Sequence, residues 1–205
     1  KQVATHSRSA NSVKLSVRNG VDCIYHCEFA DEEALDMMEA AKDRIFLGPA
    51  VDLLHNTVYE AAPWGITPEV VEQMGMKRNL EKTAETYAEV KRRGIRVVVG
   101  GDYGFAWTPQ GTNARDLKHF VDLFGYSPMD TIVCATRYGG ELMRMGGELG
   151  QVREGFLADL LLVDGNPLAD IGIMADRSRF AMIMKDGAIY KDPRAYARDV
   201  RIAAE

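Results

Sequence analysis

Through its first two thirds the chain alternates short apolar runs with stretches of helical periodicity, which restricts it to a parallel sheet joined by helical crossovers. The runs fall at residues 2–5, 21–25 and 45–47, and at Ile95-Arg96-Val97-Val98-Val99, a β-branched segment predicted to be a strand. Between them, residues 9–19 read as a helix closed by Gly20. Asp31 reads as an N-cap followed by Glu32 and Glu33, where carboxylates favour the positive end of the helix dipole. Thr67-Pro68-Glu69 opens a helical pattern that runs to Arg93, with Gly75 as a point of interruption and Gly94 as terminator. Residues 55–65 read as an irregular loop. Further helices are predicted over 113–124 and, after Ser127-Pro128, over 129–144.

Beyond Gly146 the texture changes to short strands at 160–163, 182–184 and 189–190, separated by Asp164-Gly165-Asn166-Pro167 and Asp186-Gly187 turns. Residues 1–148 are therefore expected to form β-α units, and residues 149–205 a small antiparallel element and tail. With 46% hydrophobic residues, the chain can bury a core, so wholesale disorder is excluded. No apolar run approaches the roughly 18–20 residues that cross a bilayer. A formal net charge of −5 argues against a nucleic-acid surface. Cys23, Cys27 and Cys134 show no CxxC spacing, so neither a disulfide framework nor a thiolate zinc site is indicated, and a cytoplasmic location is expected.

Parallel β-α arrays carry their chemistry at the carboxyl ends of the strands. His6 ends the first run, His26 the second, and Asp102 follows the 95–99 run. Two imidazoles and a carboxylate suit a borderline divalent ion such as zinc. Each has a plainer reading: a strand-end histidine satisfied by backbone, or an aspartate between glycines serving as a turn residue or N-cap. Their joint placement favours the functional one. Arg8, His55, Tyr59, Trp64 and Tyr103 are candidate substrate contacts, although each could equally pack or face solvent. His119 reads as structural, Cys27 as a small buried filler, and Gly101-x-x-Gly104 as no phosphate loop, since no Gly-Lys-Ser/Thr follows.

Val3-Ala4-Thr5-His6, the segment Gly20-Val21-Asp22-Cys23-Ile24-Tyr25-His26, and Val97-Val98-Val99-Gly100-Gly101-Asp102 together resemble the metal-dependent amidohydrolase superfamily, in its imidazolonepropionase-like and prolidase-like branch. Tyr126-Ser127-Pro128-Met129-Asp130 and the stretch from Gly150 to Pro167 are similar as well. The resemblance implies strands 5–8 of a (β/α)₈ barrel, followed by part of a small β-sandwich. It implies His6 and His26 as the metal ligands of strands 5 and 6, and Asp102 as the strand-8 aspartate that binds metal and shuttles the proton.

The implied cofactor is one or two divalent ions, zinc foremost, with cobalt or manganese as alternatives. The implied reaction is hydrolysis of an amide, carbamate or urea-type C–N bond. The alternatives are a single-metal deaminase or cyclic-imide hydrolase, or a non-catalytic scaffolding half-domain. The strand-1 His-x-His and the strand-4 lysine have no counterpart in these 205 residues, and a full barrel takes about 250. The first four strands are therefore expected from an N-terminal half on another polypeptide or segment. A small-molecule substrate and a homo-oligomer are also expected, with no nucleic-acid or membrane partner.

Overall fold

Ser9 ends the first strand and starts the first helix: its extended backbone leaves the sheet while its hydroxyl accepts the Ser12 N–H. In the computed structural model, which describes residues 1–195, this hand-over repeats. Strand β1 (Ala4–Ser9) leads into α1 (Ala10–Arg18), β2 (Cys23–Phe29) into α2 (Glu32–Ala40) through an Asp31 cap on Ala34 N–H, and then comes β3 (Phe46–Gly48). The three strands form one parallel sheet in the order β1-β2-β3. Because connected parallel strands need a crossover, each helix lies over one face of the sheet. Val13, Ile24, Met38, Leu47 and Val51 are among its buried contributors there. Removing each such side chain from water is worth about 1.5–3 kcal/mol.

The segment over 95–99 departs from expectation. Rather than a strand, it makes a single parallel bridge, Leu47 to Val97, with Leu47 N–H donating to the Arg96 carbonyl and Val98 N–H to the Leu47 carbonyl. The cause lies in its neighbour. β3 is three residues long, and Ala50 turns into left-handed backbone at φ 51°, so little edge remains to pair with.

Residues 55–65 are also not a loop. His55 and Tyr59 lie on helix α3 (Val51–Tyr59), and Trp64 on a 3₁₀ turn (Ala62–Trp64) that Gly65 closes at φ 84°. Helix α3 starts from Ala50 without a side-chain cap, and polar Asp52, Asn56 and Thr57 are buried beside its apolar Val51, Leu54 and Val58, so no capping residue announced it and its apolar stripe is blurred. The next helical pattern divides at Gly75 (φ 66°) into α4 (Pro68–Gln73) and α5 (Met76–Arg92). At the end of α5 the buried Arg93 guanidinium joins Glu32, Asp36 and Glu39 of α2 to Glu89.

Helix α6 (Asp116–Phe124) follows a 3₁₀ turn. The stretch expected as one helix over 129–144 is two, α7 (Pro128–Ala135) and α8 (Arg137–Leu142), because Thr136 leaves helical geometry at ψ −76°. A Ser127–Asp130 capping box opens α7. The remaining strands β4 (Leu160–Val163), β5 (Phe180–Lys185) and β6 (Ala188–Lys191) form a separate antiparallel sheet in sequence order. Residues 196–205 of the expected 149–205 segment lie outside the described residues.

Candidate metal centre

Alternation along β1 sends Thr5 and Ser7 toward α1, where Ser7 Oγ lies 2.9 Å from Ser16 Oγ. His6 and Arg8 consequently point to the opposite face. On β2 the alternation is broken. Ser7 pairs with His26 and Ser9 with Phe29, so Cys27 and Glu28 together oppose Arg8 alone. This is a β-bulge, and it places two non-glycine residues in left-handed backbone, His26 at φ 75° and Cys27 at φ 62°. The extra residue puts Tyr25 and His26 on the same side, against His6 at ring separations of 5.8 and 4.9 Å. Gly48 is needed here, since a Cβ on it would stand 2.6 Å from the Tyr25 ring.

Asp102 completes the group. His6 Nδ1 lies 2.7 Å from His26 Nε2 and 3.8 Å from Asp102 Oδ1, while His26 Nε2 lies 3.6 Å from Asp102 Oδ2. Two nitrogens on a tetrahedral ion with bonds of about 2.0–2.1 Å stand about 3.3 Å apart, and the three distances bracket that value. Among the described residues this is the one group of three such donors that converge. Burial, reinforced by the positive charge of Arg8, pulls the His26 imidazole down to about 4, so it is neutral and able to ligate near pH 7. His26 is 2% exposed, whereas the His6 side chain is 67% exposed, so the group has an open side. The donor set therefore fits a divalent ion such as zinc.

The other anticipated residues are outside this triangle. Arg8 is ion-paired to the buried Glu28. His55 lies with its ring tilted against that of His119, centroids 4.2 Å apart, and burial lowers its basicity. Tyr59 and Trp64 are exposed, Trp64 standing 6.3 Å from Trp107, which stacks on Phe105 at 5.5 Å. Tyr103 turns inward and donates its hydroxyl to Asp116 Oδ2 at 2.6 Å. The Cys27 thiol is fully buried and pushed well up by that burial, which suits packing and not nucleophilic attack.

A second polar group was not anticipated. Asp116, fully buried at the head of α6, also accepts the Asp52 N–H (3.2 Å). Asp52 in turn accepts from Asn56 Nδ2 (3.1 Å) and meets His119 Nε2 (3.2 Å), giving that histidine its structural partner. Asn56 also donates to the Trp107 carbonyl at 2.9 Å, and Trp107 Nε1 to Thr57 Oγ1 at 2.9 Å. These residues gave no local signal: Asp116 reads in sequence as an ordinary first-turn acid, and its partners are 13 and 64 positions away.

Residues 3–190 match the Amidohydrolase family. The ochratoxinase of Aspergillus niger is 23% identical over 192 residues, covering 93% of this chain and 38% of the relative. Among solved structures, a Xaa-Pro dipeptidase with methionine bound in its active site superposes with a TM-score of 0.78 at 28% identity, over 93% of this chain and 45% of that one. A prolidase complexed with N-methylphosphonate-L-proline superposes with a TM-score of 0.80 at 26% identity, over 93% and 45%. This chain thus spans less than half the length of these relatives. Among the described residues, no helix is long and apolar enough to cross a membrane.

Proposed function

This chain belongs to the amidohydrolase family, and from that premise we propose that it forms part of a metal-dependent hydrolase cleaving an amide, carbamate or urea-type C–N bond, dipeptides included. In this reading residues 1–148 are strands 5–8 of a (β/α)₈ barrel and the described residues from 149 onward belong to a β-sandwich. Strands 1–4 come from polypeptide outside these 205 residues. The chain's span of 45% of its dipeptidase relative supports this, as does the exposure of His6 on an edge strand.

The observation that carries the reading is the triangle of donors at 2.7, 3.6 and 3.8 Å, drawn from three separate segments. His6, His26 and Asp102 would hold a divalent ion through Nδ1, Nε2 and a carboxylate oxygen; zinc is the expected ion, with cobalt or manganese able to replace it. When bound, such an ion polarises a carbonyl and acidifies water. Asp102 takes the proton of the attacking water on a carboxylate oxygen and delivers it to the leaving nitrogen. His26 stays neutral because it is buried, so it remains a ligand near pH 7. Arg8, held by Glu28 but partly exposed, faces a carboxylate or carbonyl of the substrate. The aromatic group of Trp64, Phe105 and Trp107 borders an apolar acyl or aryl substituent.

The test is to strip the complete enzyme with a chelator, restore it with Zn²⁺ or Co²⁺, and assay N-acyl amino acids, Xaa-Pro dipeptides and aryl ureas. Metal should restore hydrolysis. Asp102→Asn should lose about 10²–10⁴-fold in turnover with an unchanged circular dichroism spectrum. Full activity in that variant, or indifference to the chelator, refutes the reading.

A further inference from the structure

We propose that Tyr103 and Asp116 are the positioning pair of the centre, holding Asp102 on line with His6 and His26. This rests on the metal-centre reading above and deepens it. Asp102 sits in Gly100-Gly101-Asp102-Tyr103-Gly104, where Gly100 (φ 129°) and Gly104 (φ 113°) adopt backbone open mainly to glycine. A carboxylate between two such swivels has no fixed direction of its own. The segment is fixed from the flanks instead.

On one side Gly101 packs so tightly on Ala50 that a Cβ there would come within 2.3 Å of the Ala50 Cα. On the other, the Tyr103 hydroxyl reaches Asp116 Oδ2 at 2.6 Å, while Asp116 Oδ1 takes the N–H of Asp52 at 3.2 Å. Both anchors therefore end at the start of α3, one on Ala50, which precedes it, and one on Asp52 in its first turn. Beyond them, Gly104 N–H donates to the Thr108 carbonyl at 2.8 Å and closes the loop. Tyr103 directly follows Asp102, so fixing its side chain in the seam between α3 and α6 fixes the backbone from which the Asp102 carboxylate reaches the histidines. Neither Tyr103 nor Asp116 belongs to the donor triangle. Their effect passes through Asp102. A buried carboxylate is costly unless its oxygens are satisfied, and here both oxygens are in use.

The experiment uses the complete enzyme with Co²⁺ as probe, reading the dissociation constant by chelator competition and the visible absorption of the bound ion. Tyr103→Phe removes the donor at almost constant volume. Asp116→Asn leaves one oxygen where two are used. Val90→Ala, in the buried core of α5, is a control that lowers stability without touching either anchor. Both positioning variants should bind Co²⁺ about 10–100-fold more weakly with an altered spectrum, the usual effect of losing a group that orients a ligand; Val90→Ala should bind as the unaltered protein does. Unaltered affinity and spectrum in Tyr103→Phe and Asp116→Asn overturn the positioning role alone, as does an equal loss in Val90→Ala. If the unaltered protein binds no Co²⁺, or His26→Asn does not weaken binding, the metal-centre reading falls and takes this role with it.

Discussion

Replacing Gly101 by alanine isolates the steric half of this arrangement. The new Cβ would stand 2.3 Å from the Ala50 Cα, 2.5 Å from its Cβ and 3.2 Å from its nitrogen. Carbon atoms pack at about 3.5–4.0 Å, so one side must retreat by about 1 Å or more. The first turn of α3 cannot easily do so, because Val51 and Asp52 are buried within it. The loop must move, and Asp102 moves with it. Overpacking of this kind costs about 1–3 kcal/mol, and each kcal/mol lowers the melting temperature of a chain this size by about 2–4 °C. A misplacement of about 1 Å in a reacting group costs on the order of 100-fold in rate.

Urea unfolding followed by circular dichroism, together with turnover of the Co²⁺-restored enzyme, reads both quantities. Gly139→Ala is the control: it lies inside α8 with nothing within 4 Å of a new Cβ, so the same change should stabilise by up to about 1 kcal/mol. If Gly101→Ala is as stable and active as the unaltered protein, the close packing has no consequence and the reasoning fails. A destabilised variant with full turnover would separate the loop's packing from its chemistry.

Two further outcomes follow from buried polar groups. Burial, aided by nearby Asp52 and opposed by the Tyr103 hydrogen bond, raises the Asp116 carboxyl to about 6. The folded state thus holds this proton more tightly than the unfolded chain, and the associated stability is present below about pH 4 and lost as pH rises through about 6. The unaltered protein should lose on the order of 2–3 kcal/mol relative to Asp116→Asn between those limits, measured by urea unfolding of the metal-free protein; a difference that does not change with pH contradicts this. The Tyr87 hydroxyl is buried with no hydrogen-bond partner among the described residues, while its ring stacks on Phe124 at 5.1 Å. Tyr87→Phe keeps the stacking and should gain about 1 kcal/mol. Destabilisation by as much would reveal a partner for that hydroxyl.

Elements announced by local chemistry were legible in the sequence. Asp31, Thr67 and Ser127 each cap the helix they precede, because a side-chain oxygen satisfying an amide two or three residues on is a short-range event. What escaped was set at longer range. Helix α3 hides because it has no capping residue and because Asp52, Asn56 and Thr57 are buried beside its apolar Val51 and Leu54, a mixture that makes sense only once Asp116 and His119 of α6 lie against it. The 95–99 run has every β-branched mark of a strand, yet pairing depends on a neighbour, and β3 is too short to supply more than one bridge. The approach of His6, His26 and Asp102 followed from strand polarity. The bulge that lets Tyr25 and His26 share a side did not, because it depends on how β2 pairs with β1 and no glycine marks the position.

The single bridge between Leu47 and Val97 has a consequence for how the molecule breathes. β1 and β2 pair along much of their length, whereas the segment leading to Asp102 hangs from β3 by two backbone hydrogen bonds. Opening free energies follow such differences in tethering, so amides of residues 97–103 should exchange with solvent well before that of Ile24. The donor triangle thus straddles a seam between a slow-exchanging and a fast-exchanging part of the sheet. An ion held jointly by His6, His26 and Asp102 would act as a cross-brace over that seam, and its binding would be felt chiefly as protection of the looser side.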